Sequence, residues 1–321
     1  MFQIARATRT GISARLIALG LLGIALESGS ACSTSSAPAP GGSPGPDAGP
    51  GGNGGDGGGP GTDGGVGAGT PLGFVVVSQA VTGSVANFDI DAVFLSSPVA
   101  LPAGCTTMPV AGCLAIRCPD VTPQLPDQTT LNAGALTVTG TGVSSPATLT
   151  YGPGPTPGIN GYSTVTALTK FYNSGDTLSV SGAGGADLPS FPAQTLVAPN
   201  EIVLTAPACA SALDGGACTD VDRSTDARLA WTGGGAGQVT ITYLTGSDSG
   251  TNTLSCVFDA LSGAGVVPSA ALMMLDPASA PGYYGQEFIN PVSSKTFMVG
   301  TLAAVFTVQG TQVTGTFTTT D

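Results

Sequence analysis

Residues 228–233 (RLAWTG) and residues 238–243 (QVTITY) decide the fold class of this chain. In the second stretch apolar and polar residues alternate, which is the pattern of a strand with one buried face. Gly233 ends the first stretch, and with Gly234 and Gly235 it marks a turn before the second. We therefore predict two β-strands here, joined by a glycine-rich connection.

Short runs of the same kind recur along the chain and are rich in Val and Thr, which favour pleated, half-buried surfaces. Gly, Pro and Asn residues separate them, and only residues 269–275, after Pro268, have a helical pattern. The predicted strands are 74–78, 85–95, 135–139, 147–151, 164–171, 177–181, 195–198, 201–205, 228–232, 238–244, 253–258, 296–309 and 312–319. This spacing predicts an all-β fold of one or two antiparallel β-sandwiches.

The second half of the chain resembles an immunoglobulin-like sandwich, because residues 228–243 are similar to its middle strands. The resemblance implies that Trp231 is a core residue packed against the opposing sheet. Residues 198–200 (APN) are the best candidate boundary. We predict one β-sandwich domain over 71–198 and an immunoglobulin-like one over 199–321.

The chain begins with the features of an export signal. Arg6, Arg9 and Arg15 precede an uninterrupted apolar run over residues 16–26, with no acidic residue among the first 26. As a helix, this run would span about 16 Å, against about 30 Å of hydrocarbon in a bilayer. We predict a cleaved signal peptide over 1–31; a short anchor helix is the alternative.

Residues 27–32 (ESGSAC) resemble the lipobox of bacterial lipoproteins, in which small residues precede a lipidated cysteine. The resemblance implies that Cys32 becomes an acylated first residue and that Ser33 directs the protein to the outer membrane. Residues 33–70 are almost wholly Gly, Pro, Ala, Ser, Thr and Asp. A segment with so little to bury is predicted to be a disordered tether over 32–70.

The number of cysteines supports this anchor. The chain has seven, so lipidation of Cys32 leaves six, three in each predicted half, and full oxidation requires a disulfide between the halves. We expect Cys209 to pair with Cys218, one bond within the trio Cys105, Cys113 and Cys118, and a bond from the remaining member to Cys256. Metal ligation by the trio, or a free thiol at Cys32, is the alternative.

Charge and composition exclude several function classes. From Cys32 onward there are 19 acidic and five basic residues, a net charge of −14, so we exclude nucleic acid as a partner. The chain has no histidine, which removes Ser-His-Asp catalysis and His-ligated zinc. We predict a non-enzymatic protein without a required cofactor.

Two groups of residues are candidate sites. Tyr283 and Tyr284 lie in a loop flanked by Pro and Gly and are the candidate ligand contact. Asp220, Asp222 and Asp226 place three carboxylates within seven residues, so a calcium site is an alternative there to a solvated turn with local ion pairs.

The sequence thus predicts a lipoprotein held on the cell envelope, at the outer membrane or cell surface, or else secreted. Its role would be structural, adhesive or ligand-binding, with a glycan or a surface protein as partner. The alternatives are a calcium-binding surface module, a bare spacer, and a glycan hydrolase that uses two carboxylates about 5–10 Å apart.

Overall fold

The fold was analysed in a computed structural model, which describes residues 72–82, 85–98, 101, 104–119, 129–143, 146–153, 160–162, 165–167, 170–206 and 220–321. The predicted signal peptide, the tether with Cys32, and the pair Cys209 and Cys218 lie outside these residues. Within them, no helix has the length and apolar character needed to cross a membrane.

The described chain is nearly all β, as the sequence predicts. The strands are β1 (Gly73–Thr82), β2 (Val85–Phe94), β3 (Thr106–Val110), β4 (Cys113–Cys118), β5 (Leu136–Gly140), β6 (Ala147–Leu149), β7 (Tyr151–Pro153), β8 (Asn160–Tyr162), β9 (Val165–Ala167), β10 (Thr177–Gly182), β11 (Phe191–Val197), β12 (Ile202–Ala206), β13 (Val221–Asp222), β14 (Ala227–Gly233), β15 (Gln238–Ser247), β16 (Gly250–Asp259), β17 (Ala264–Val267), β18 (Tyr284–Val299), β19 (Leu302–Thr311), β20 (Val313–Thr316) and β21 (Thr319–Thr320). One short α-helix, α1 (Ser269–Leu272), follows Pro268 where the sequence predicts helix, and a single 3₁₀ turn spans Ala260–Ser262.

One large sheet organises the molecule. Its strand order is β3-β4-β16-β15-β18-β19-β1-β2-β9, and β20 also pairs with β18. Neighbouring strands are antiparallel except β1 and β19, which run parallel. Two smaller sheets, β11-β10-β5-β6 and β12-β14-β17, form the second layer.

The two larger hydrophobic cores lie on the same face of the ten-stranded sheet. Side chains alternate between the two faces along each strand. The register of β1, β19, β18 and β15 places Val75, Phe306, Phe297 and Ile241 on one face. The first three belong to the core under β11-β10-β5-β6, and Ile241 belongs to the core under β12-β14-β17. The chain therefore forms two sandwiches that share one sheet.

Aromatic side chains bridge the layers in each core. In the first core the ring centroids of Phe191 on β11 and Phe297 on β18 are 5.3 Å apart. In the second core, Trp231 on β14 is buried, and its ring centroid is 6.3 Å from that of Phe258 on β16. Its Nε1 donates to the Ala260 carbonyl at 3.0 Å. Trp231 therefore has the core position that the sequence predicts.

The boundary predicted at 198/199 falls between the two smaller sheets, but each half also supplies strands to the other core. The hairpin β3–β4 of the first half extends the large sheet beside β16, and Cys113 belongs to the second core. In return, Phe297 and Phe306 of the second half belong to the first core. The resemblance to immunoglobulin domains is thus limited, since β14 and β15 lie in sheets of three and ten strands.

Two disulfides hold the edge of the large sheet. Cys105 is bonded to Cys118, and Cys113 to Cys256. This matches the expected pairing: one bond within the trio, and its remaining member to Cys256. The second bond joins the two halves of the sequence.

Candidate functional site

Tyr284 presents an aromatic ring at the surface. It is the first residue of β18, it is 44% exposed, and it lies opposite Gly246 of β15. A Cβ at Gly246 would be 2.2 Å from the Tyr284 ring, so the missing side chain lets the ring lie against the strand. The local sequence therefore builds a flat, exposed aromatic platform.

Tyr283 has a different environment. Its side chain is half-buried, and its hydroxyl donates to the Phe317 carbonyl at 3.5 Å. The two predicted contact residues are thus adjacent, but Tyr284 is the one that offers a free ring face.

A buried polar network lies below the tyrosines, and we call Asp276, Asn252 and Thr245 the Asp276 network. Asn252 Nδ2 donates to Asp276 Oδ1 at 2.7 Å, and the Asp276 N–H donates to Thr245 Oγ1 at 3.0 Å. Asp276 Oδ2 and Asn252 Oδ1 are buried with no hydrogen-bond partner among the described residues. Buried oxygens without partners are uncommon in folded proteins and call for an explanation.

Arg223 contacts the residue that precedes Asp276. Its guanidinium donates from Nη1 to the Leu275 carbonyl at 2.5 Å and forms an ion pair with Asp321. The side chain is buried, so its charge acts in a region of low dielectric. Arg223 thereby fixes the segment just before Asp276.

Both tyrosine hydroxyls have a pKa raised above the ordinary value. Burial raises the pKa of Tyr283 and Tyr284, and the Asp276 carboxylate raises both further. Around Tyr283, hydrogen bonds with Thr319 and the charge of Arg223 act in the opposite direction on that pKa. A phenol is already protonated at neutral pH with its ordinary pKa, so both hydroxyls are hydrogen-bond donors there.

The three aspartates of the predicted calcium site have separate partners. Asp222 Oδ1 accepts hydrogen bonds from the N–H and Oγ of Ser224, which lower the pKa of Asp222. Asp226 accepts from the N–H of Ser269 at 2.9 Å, and Asp220 accepts from the hydroxyl of Thr318. Among described residues, no three His, Cys, Asp or Glu side chains are placed to hold a metal ion. Calcium binding here stays a prediction.

Two carboxyl groups are buried in the second half, those of Asp276 and Glu287. Asp276 is paired with Asn252 as described. Glu287 is 3% exposed, and burial raises its pKa, while a hydrogen bond with Tyr243 lowers it. Each carboxyl thus has its own structural partner, and hydrolysis also stays a prediction.

A second polar cluster, which we call the acceptor patch, consists of Gln238, Thr240 and Asn290. Gln238 and Thr240 lie two residues apart on β15, and Asn290 of β18 lies opposite Thr240. The oxygens Gln238 Oε1, Thr240 Oγ1 and Asn290 Oδ1 are buried without a hydrogen-bond partner in the described part of the chain. Alternation in residues 238–243 predicts that these side chains point away from the apolar ones, but not that their oxygens lack partners.

Comparison with known proteins adds no family assignment. No protein-family model matches the chain, and no curated protein matches it.

Proposed function

We propose that the mature chain is a non-enzymatic binding module held on the cell envelope by a lipid on Cys32. Its partner would be a glycan or a surface protein, and Tyr284 would be its main contact. The observation that carries this proposal is the exposed Tyr284 ring, held flat against Gly246.

An exposed aromatic ring with a polar end suits contact with another molecule. Tyrosine contributes a rigid apolar surface and a hydroxyl donor, and it loses little conformational entropy on binding. That hydroxyl is protonated at neutral pH, and burial and Asp276 raise its pKa further. The strongly acidic chain favours neutral or basic partners.

The anchor is supported by cysteine parity and by disulfide formation. Four of the six cysteines after Cys32 form two disulfides, and disulfides persist in oxidising compartments outside the cytoplasm. A seventh cysteine in an exported chain needs a separate role, which lipidation provides.

Binding can be tested with the mature chain on an array of immobilised glycans. We expect Tyr284→Ala to weaken binding about tenfold or more, because central aromatic residues contribute most to such contacts. Met298→Ala is a matched control, since Met298 is 43% exposed on the same strand, far from Tyr284. Unchanged binding by the Tyr284 variant would contradict the contact. No binding by the parent chain to any glycan or to envelope protein extracts would favour a bare spacer.

Lipidation can be tested by intact-mass spectrometry of the native protein. We expect a mature chain that begins at Cys32 with acyl chains attached, and soluble release of the Cys32→Ser variant. An unmodified mature N-terminus in the parent protein would contradict the anchor.

A further inference from the structure

Tyr284 shares the junction where β15 ends and β18 begins with a carboxylate. The Tyr284 ring lies over Gly246, and Asp248 follows Gly246 by two residues, in the turn after β15. The Asp248 carboxylate in turn lies over Gly282, where an added Cβ would collide with its Oδ1. The Asp248 N–H donates to the Pro281 carbonyl at 2.9 Å and so joins the two segments. Two glycines thus bring an aromatic ring and a carboxylate to the same junction.

Both groups at this junction are open to solvent. Tyr284 is 44% exposed, and Asp248 is an exposed residue of the turn. Within the described chain, Asp248 has no ion pair, because the ion pair found there joins Arg223 to Asp321. The Asp248 carboxylate therefore has no cation beside it among these residues, and a ligand can reach it and the ring from solvent.

The surroundings of the junction are acidic. Burial and the negative charge of Asp276 both raise the pKa of Tyr284, so this carboxylate lies close enough to act on the phenol. Over the whole chain from Cys32 onward, 19 acidic residues stand against five basic ones, a net charge of −14. Such a field attracts cations and repels carboxylates and phosphates.

Among cations, an arginine side chain is best suited to a flat ring and a carboxylate. Its guanidinium is planar, stacks on aromatic faces and donates two parallel hydrogen bonds to a carboxylate. A lysine ammonium is a compact, strongly hydrated charge without this planar fork. Because Gly246 lies against one face of the Tyr284 ring, the opposite face is the one on which a guanidinium can stack.

We propose that the junction of Tyr284 and Asp248 binds a basic segment of a partner protein, through an arginine guanidinium that stacks on the Tyr284 ring with the Asp248 carboxylate as its counter-ion. This inference rests on the proposed function, because it uses the same tyrosine. It selects a surface protein rather than a glycan as the partner, and it adds Asp248 as a contact. Because both groups are exposed, salt should weaken the contact.

The test measures binding of hexa-arginine, hexalysine and hexacitrulline to the full mature chain by calorimetry, in about 0.15 M salt. We expect hexa-arginine to bind, hexalysine to bind at least about threefold more weakly, and the uncharged hexacitrulline not to bind. Tyr284→Leu and Asp248→Asn should each weaken the binding of hexa-arginine about fivefold or more.

Asp259→Asn is the matched control. Asp259 is also exposed, and it lies at the opposite end of β16 from the turn that contains Asp248. The substitution removes the same charge, so it should change the affinity for hexa-arginine by less than about twofold if the contact is local.

Several outcomes would overturn the proposal. It fails if hexa-arginine does not bind, if hexalysine binds as tightly, or if Asp259→Asn weakens binding as much as Asp248→Asn, which would indicate a general charge effect. Loss of binding in Tyr284→Leu alone would keep Tyr284 as a contact and reject this inference, and loss in Asp248→Asn alone would reject the stacking. The proposed function fails separately, if Tyr284→Ala leaves binding to glycans and envelope proteins unchanged.

Discussion

Cys113 and Cys256 are register partners on β4 and β16, and a disulfide joins them with their Cα atoms 4.3 Å apart. They are 143 residues apart in the chain, and both are buried in the second core. The bond therefore fixes a hairpin from the first half of the sequence to a sheet built mainly by the second half. Cys105–Cys118 closes a separation of only 13 residues beside it.

Removing the two disulfides should have unequal effects. On the chain-entropy model, Cys113→Ala with Cys256→Ala should lower the free energy of unfolding by about 5 kcal/mol, and Cys105→Ala with Cys118→Ala by about 3 kcal/mol. Urea unfolding of both double variants, monitored by circular dichroism, measures the difference. Equal losses would contradict the view that loop length sets the order.

The hairpin turn between β3 and β4 can be improved. Ala111 has φ 48° and Gly112 has φ 83°, the left-handed conformations of a two-residue type I′ turn. Ala111→Asn should stabilise the protein by about 1 kcal/mol, since Asn tolerates this region better than Ala. Gly112→Ala is the opposing control and should destabilise by about 1–2 kcal/mol, although no atom lies within 4 Å of its added Cβ. Thermal unfolding should show Tm shifts of opposite sign.

Trp231 should be both a stabilising residue and a reporter. It is the only tryptophan in the chain, so its emission should be blue-shifted in the folded protein and move to longer wavelength on unfolding. Trp231→Phe should lower the free energy of unfolding by about 2–3 kcal/mol, because it shrinks the core and leaves the Ala260 carbonyl without its donor. Circular dichroism in urea measures this loss. A variant as stable as the parent would show that the ring does not support the second core.

Glu287 should make stability depend on pH. Burial raises its pKa in the folded state, so the folded protein favours the protonated form. That stabilisation is complete below the unfolded-state pKa and is lost as pH rises through the folded-state pKa. Glu287→Gln should therefore match the parent near pH 4 and have the higher Tm at pH 7.

Asp222→Asn is the control, because the Tm difference between this variant and the parent at pH 7 should have the opposite sign. Hydrogen bonds from Ser224 lower the pKa of Asp222, so its contribution is present above the unfolded-state pKa and lost as pH falls through the folded-state pKa. This variant should have the lower Tm at pH 7, and the difference should vanish in acid. Parallel pH profiles for the two variants would contradict both assignments.

Local patterns predict much of the fold. In β2, Phe88, Ile90 and Ala92 are buried while the alternating Asp89 and Asp91 are half-exposed, as the period of two requires. Core packing of Trp231 and the pairing of Cys256 with a member of the first trio also follow from the sequence. The strand and core predictions depend on residues that are close together in the sequence. The cysteine pairing depends on the number of cysteines in each half of the chain.

The elements that sequence reasoning missed depend on tertiary pairing. The hairpin β3–β4 escapes notice because β3 is mostly exposed and contains Pro109, which argues against a strand. The strand predicted over 296–309 is wrong, since Gly300 at φ 62° separates β18 from β19. The alternation in residues 238–243 likewise predicts the direction of the Thr240 side chain, but it cannot predict that the hydroxyl oxygen lacks a hydrogen-bond partner among the described residues.

The parallel pairing of β1 with β19 has a consequence for how the protein folds. Phe74 of β1 lies beside Val305 of β19, so the first described strand meets its partner only after most of the chain has been synthesised. Contacts of such long sequence separation slow folding and leave strand edges unpaired meanwhile. A nascent chain would therefore expose one side of the β1–β2 hairpin until its C-terminal strands arrive. Truncation before β19 should yield an aggregating fragment rather than a smaller folded protein.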